Sequence, residues 1–182
     1  MFPTNFYTFK IKLKDKSYCT SENIIYKQTA AISFYNEYNQ EISYVELGYI
    51  QIEEVYNKIN QKEPLNLNEV FIENFSISDY KNKFGINLSE NIEIIGFTAR
   101  NSIFYSDTQN AFDGIIFKEK PVSFEKSLFI KGDVNFENVI FEEGSVNFNS
   151  VIFFNGNVSF YNTNFVKGIV NFKNTTWGKG VK

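Results

Sequence analysis

The chain has 182 residues, a net charge of −3, 43% hydrophobic residues and no histidine. That length holds one domain, or a small domain joined to a repeat array, and that hydrophobic share belongs to a folded chain. Without histidine there is no Ser-His-Asp or Cys-His dyad and the commonest zinc ligand is missing, while the lone Cys19 can close neither an intramolecular disulfide nor a cysteine metal site.

Residues 1–62 read as a small α/β domain. Phe9, Ile11 and Leu13 alternate with Lys10, Lys12 and Lys14, the pattern of a strand with one wet face. Ile32 and Phe34 begin a second strand, and Ile42 and Tyr44 a third, with Asn36 to Gln40 turning between them. Ile52, Val55, Tyr56 and Ile59 share one helical face, which predicts an amphipathic helix over 51–62 that stops before Pro64. Residues 63–109 read as an N-terminal cap with irregular first coils. Within them 65–77 alternates, Ser78 is expected to cap a short helix that Gly85 ends, 92–104 leads into the array, and 105–109 forms a polar loop.

From 110 to 182 the sequence is built from copies of a 12-residue unit. VNFENVIFEEGS starts at Val134 and VNFNSVIFFNGN at Val146. One column holds Phe124, Phe136, Phe148, Phe160 and Phe172; a second holds Phe129, Phe141, Phe153, Phe165 and Trp177; a third holds Gly132, Gly144, Gly156, Gly168 and Gly180. Phe112 and Phe117 begin the first two columns in a degenerate copy. Val134 and Phe136 are two apart, as are Val139 and Phe141, so each pair points to one side of a short strand. The glycines mark turns that need a positive φ or a close backbone approach. One copy cannot bury its own Phe pair, whereas stacked copies can. The expected fold is therefore mainly β, a β-solenoid of 12-residue repeats behind the small α/β domain and its cap.

Val134-Asn135-Phe136-Glu137-Asn138 and Val139-Ile140-Phe141-Glu142-Glu143 each resemble one unit of the pentapeptide-repeat family. The resemblance covers the repeat region and implies a right-handed parallel β-helix. It departs from the family in one respect: every second five-residue unit is followed by Gly and one more residue, which interrupts the family's four-sided coil. A flattened 12-residue coil with two strands is the expectation, with a 24-residue coil holding two copies per turn as the alternative.

The composition points away from most chemistry. The pairs Glu53-Glu54 and Glu142-Glu143 diverge on a helix or strand and do not converge on one substrate, and no phosphate loop or dinucleotide fingerprint occurs. No catalytic, cofactor-binding or metal-binding residue is expected. The only arginine is Arg100, and the array is near neutral, which argues against nucleic-acid binding and against imitation of DNA by an acidic solenoid. No 18-residue apolar stretch and no signal-like leader occur, so the expectation is a cytoplasmic, bacterial protein with no membrane segment.

Outward positions on the first strand are polar: Ser123, Asn135, Asn147, Ser159 and Asn171. Those on the second are apolar: Leu128, Ile130, Ile140, Ile152, Phe154 and Val166. An apolar outer face needs a cover. Either the N-terminal domain folds over it, or it is an interaction surface for a protein partner or a second copy. The repeat is still in phase at Lys182, and Phe172 and Trp177 stand in the last copy as a candidate self-association end. The expected function is a non-catalytic protein-binding or scaffold protein. The alternatives are a structural protein that self-assembles through its ends, or a targeting module of a larger effector.

Overall fold

A computed structural model describes residues 2–119 and 121–178. The alternating segment Thr8–Lys14 forms a strand paired antiparallel with Gln28–Tyr35, which pairs antiparallel with Glu41–Ile50. Asn36 closes the tight connection: its Oδ1 accepts from the Tyr38 and Gln40 amides at 3.0 and 2.9 Å. The third strand is longer than the sequence suggested: its second half stays paired with Gln28–Tyr35 on one edge and pairs parallel with Val70–Glu73 on the other. Parallel neighbours need a crossover, and the helix α1, Ile52–Asn60, supplies it, burying Val55, Tyr56 and Ile59. A second helix, α2, spans Ile77–Phe84. Its cap is Ser76 rather than Ser78, with the hydroxyl accepting from the Asp79 amide at 3.1 Å; Gly85 ends it in the left-handed region.

Beyond Val70 the pairing is parallel throughout, in three ladders. Val70–Glu73 bonds to Ile103–Ala111, then Leu128–Asn135, Ile152–Phe153 and Thr176–Trp177, so one sheet runs without a break from the antiparallel strands into the repeats. The second ladder runs Leu65–Asn66, Phe97–Thr98, Val122–Ser123, Val146–Asn147 and Val170–Asn171, and the third Ile92–Ile95, Ile115–Lys118, Ile140–Phe141 and Asn164–Phe165. Val158–Ser159 pairs with Val134–Asn135 on a further side. Residues 105–109 belong to the strand Ile103–Ala111, whose register shifts there, and are not the loop their polarity suggested.

The step between partners corrects the expected coil. Val122 pairs with Val146, Ile140 with Asn164 and Val134 with Val158, so the step is two copies rather than one. The reason lies in the corners. After each first-column Phe the chain turns through a residue at positive φ: Gly114, Lys126, Asn138, Ser150, Asn162 or Asn174. The Phe carbonyl accepts from the amide three residues on, as from Val139 to Phe136 at 3.3 Å and from Val151 to Phe148 at 3.1 Å. That is a turn with the left-handed residue in its third position. The glycines at 132, 144, 156 and 168 make the second corner at φ between 86° and 111°; Gly180 lies outside the described residues. Each copy thus contains two corners, neither of which reverses the chain. Adjacent inner rings stand nearly perpendicular, with 84° between Phe112 and Phe124 and 81° between Phe136 and Phe148. Two copies are needed before the chain meets itself.

Four aromatic columns follow from the two-copy step. Phe112, Phe136 and Phe160 stack at 4.7 and 5.0 Å; Phe124, Phe148 and Phe172 at 5.2 and 4.9 Å; Phe104, Phe129, Phe153 and Trp177 at 4.7 to 5.0 Å; and Phe117, Phe141 and Phe165 at 5.0 and 4.9 Å. The valines two residues before them, Val122, Val134, Val139 and Val146, are buried alongside. On the outside, Asn135, Asn147 and Asn171 each accept from the amide two residues ahead, at 2.8 to 2.9 Å, bracing the approach to each corner.

Phe148 is fully buried, with rings 4.9 and 5.2 Å away along its column. Phe148→Ala is expected to lower unfolding free energy by about 3–5 kcal/mol in urea titrations. Asn147→Ala, at a half-buried site whose Oδ1 accepts from the Asn149 amide at 2.9 Å and from Asn171 Nδ2 at 3.3 Å, is expected to cost about 1 kcal/mol; equal losses would mean the inner and outer faces are misassigned. Gly156 combines φ of 111° with a position where any Cβ would press into the Gly132 carbonyl. Gly156→Val should therefore abolish cooperative unfolding. Gly85→Ala, with φ of 66° but open space around it, should cost only about 1–2 kcal/mol. A Gly156→Val protein with unchanged Tm would contradict the corner.

Candidate functional site

The apolar outward residues do not form one free face. Leu128, Ile130 and Ile152 are buried in a second core together with Phe2, Phe6, Ala30, Ile32, Phe34, Leu47 and Ile103. Phe154 is half-buried and stacks on Phe6 at 3.6 Å, and Tyr105 meets Phe9 edge-on at 6.1 Å. The N-terminal segment and its antiparallel strands thus lie over this side of the parallel ladder. Two features of the sequence carried that outcome: aromatics at Phe2 and Phe6, and the run Ala30-Ala31-Ile32 in a strand buried on both faces. Ile140 and Val166 sit on another ladder, where Ile140 is half-buried and Val166 is 48% exposed. Phe172 and Trp177 stack on Phe148 and Phe153 and are 38% and 45% exposed.

Much of the remaining outward surface carries polar pairs between partners two copies apart, with Tyr161 and Ile169 exposed among them. Asn162 donates to Asn138 at 2.8 Å, Asn157 to Asp133 at 2.7 Å, and Lys167 pairs with Glu143 at 3.0 Å. Lys118 pairs with Glu93 at 2.7 Å; that bond raises the lysine pKa and lowers the glutamate pKa. Such exposed pairs contribute little stability individually. Arg100 is engaged within the fold, where its guanidinium pairs with the Glu22 carboxylate. Hydrogen bonds from Asn66 and Asn68, together with Arg100, hold the Glu22 carboxyl below the usual carboxylate range.

Among the described residues, two of the larger clefts bring carboxylates and lysines together. The larger, about 700 Å³, lies beside α1 and is lined by Asp15, Tyr26, Lys27, Glu54 and Lys58; burial pushes the Tyr26 hydroxyl up to about 12. The second, about 500 Å³, lies between α2, the segment after it and the corner that carries Asn138 and Asn162. α2 turns Lys81 inward beside Ile77 and Tyr80, and its residue is only 2% exposed. Its Nζ donates to the Leu88 carbonyl at 2.9 Å and makes no ion pair with any described carboxylate. Asp113 faces the same cleft, and its Oδ1 is buried with no hydrogen-bond partner among the described residues. Neither Lys81 nor Asp113 stood out in the sequence, because their meeting depends on α2 docking against the first corner of the array.

Among the described residues no group of three or more His, Cys, Asp or Glu side chains is placed to hold a metal ion, and no helix is long and apolar enough to cross a membrane. Comparison of the chain with protein-family models, with curated proteins and with solved structures gave no match.

Proposed function

We propose that the protein is a non-catalytic binding or scaffold protein of pentapeptide-repeat type. In this reading residues 110–178 form a right-handed, four-sided β-solenoid in which two copies of the repeat make one turn. The observation that carries the reading is the uniform two-copy register together with the four aromatic columns inside it. A framework so regular presents outward side chains at one strand spacing, roughly 4.8 Å, which suits recognition of an extended partner more than turnover of a small substrate. The unpaired Cys19 suits a reducing compartment, so a cytoplasmic setting is part of the proposal. The surface offered to a partner is the side carrying Tyr161 and Val166, which are 74% and 48% exposed, rather than the side that Phe6 covers.

Self-assembly is a second reading, favoured by the exposed rings of Phe172 and Trp177 on the outermost described rungs. The two readings separate in paired experiments. Tyr161→Ser combined with Val166→Lys should keep the wild-type Tm and lose a protein that the wild-type chain retains from source-cell extract. Phe172→Lys combined with Trp177→Lys should leave that capture unchanged. If instead sedimentation coefficients rise with concentration, and only the Phe172 and Trp177 pair abolishes the rise, self-assembly replaces partner binding. A chain that retains no protein and sediments as a monomer up to roughly 100 µM, well above the micromolar range of ordinary association, would falsify both.

A further inference from the structure

We propose that the cleft between α2 and the Asn138–Asn162 corner binds a small molecule carrying both a carboxylate and a protonated amine. Lys81 is 2% exposed, and its one protein acceptor is the Leu88 carbonyl at 2.9 Å. An ammonium has three protons to donate, and a buried charge without a counter-charge is costly. Asp113 brings the opposite charge to the same cleft, with a buried Oδ1 that accepts nothing from the described residues. The two do not form an ion pair with each other, so each lacks its complement. A lone anion would satisfy Lys81 and be repelled by Asp113, and a lone cation would meet the reverse. A sugar hydroxyl would satisfy the hydrogen bonds and neither charge. A molecule with both groups satisfies both residues.

Two further features fit this occupant. Asn162 Nδ2 donates to Asn138 Oδ1 at 2.8 Å, which leaves the Asn138 amide protons and the Asn162 amide oxygen as one more donor and acceptor at the cleft wall. Gly114 stands at φ of 69°, and a Cβ there would come within 3.5 Å of Lys81 Nζ and 3.4 Å of Asn91 Oδ1. The missing side chain keeps the approach to Lys81 open. The competing account is that Lys81 only ties the segment after α2 to the helix. Asp113 separates the two accounts, since its Oδ1 holds nothing in place. The cleft shares its Ile140, Asn162 and Asn164 wall with the ladder beside Val166, but its charged groups, Lys81 and Asp113, lie off that ladder, so titration with a small molecule tests it separately from capture of a protein partner.

The test is calorimetric titration of the full chain with glycine, β-alanine and 4-aminobutanoate, whose charged groups are progressively further apart. Acetate, methylammonium and glucose serve as controls, and each titration is paired with a thermal melt. At least one amino acid should bind with Kd at or below about 1 mM and raise Tm, with acetate and methylammonium at least about tenfold weaker. Asp113→Asn should keep the ligand-free Tm and lose about tenfold in affinity, as should Lys81→Met. If Lys81→Met does not fold, Asp113→Asn decides alone. The proposal is overturned by no saturable heat from any of the three at about 10 mM, by unchanged affinity in Asp113→Asn, or by glucose binding where the amino acids do not.

Discussion

Strands of two residues cannot hold themselves together. In the repeat region most segments are that short, so apart from the bonds made locally at the corners the backbone donors and acceptors there depend on the segment two copies away. Buried amides and carbonyls must be paired, and here the pairing is possible only if the chain returns to the same place on each circuit. The aromatic columns, the glycine corners and the asparagine braces all follow from that return. A ring stacks on a ring because the backbones beneath them are hydrogen-bonded, and the backbones stay in register because each pass has the same corners.

The corners also explain why the sequence revealed the period but not the circuit. The repeat of Phe, Phe and Gly is unmistakable, and the inward valines and phenylalanines are where alternation puts them. Yet two identical copies that form opposite halves of one circuit look the same in sequence as two copies that each close a circuit. What distinguishes them is the angle turned at each corner. That angle is set by one left-handed residue at Lys126, Asn138, Ser150, Asn162 or Asn174. Asparagine in three of those five positions, two after a Phe, was the available sign, since Asn tolerates the left-handed region better than most residues. In the N-terminal part, the strands and α1 could be read from periodicity. The polar stretch 105–109 misled because Tyr105 and Gln109 keep ladder partners in Lys131 and Asp133 while the residues between them bulge out of register. The cleft at Lys81 was not legible at all, because Lys81 and Asp113 lie far apart in sequence and meet only through the docking of a helix.

The N-terminal strands solve two problems together. They continue one parallel ladder into an antiparallel sheet, so the first edge of that ladder is paired rather than open. They also curl over the Leu128, Ile130 and Ile152 side and turn what would be an exposed apolar stripe into a second core. The edge that remains, Thr8–Lys14, carries Lys10, Lys12 and Lys14, and charged edge strands resist pairing with other chains. Lys14 is further held by Glu46 and Tyr44, and the hydrogen bonds that Lys14 and the Tyr44 hydroxyl donate to the Glu46 carboxyl draw it down to about 2.

The mismatch between the sequence unit and the circuit, which takes two units, divides the copies into two classes. Segments two copies apart pair with one another, whereas the matching segments of adjacent copies sit on different ladders. Leu128 and Ile152 meet the N-terminal core, while their counterparts in the intervening copies, Ile140 and Asn164, face away from it. A gain or loss of a single copy anywhere in the middle would leave the inner columns intact, because the inward pattern is the same in every copy. It would nevertheless rotate everything after it by half a circuit, setting a polar residue such as Asn164 against the apolar sheet and bringing isoleucine to the surface. In this register a change of two copies keeps every later segment on its own ladder, whereas a change of one does not.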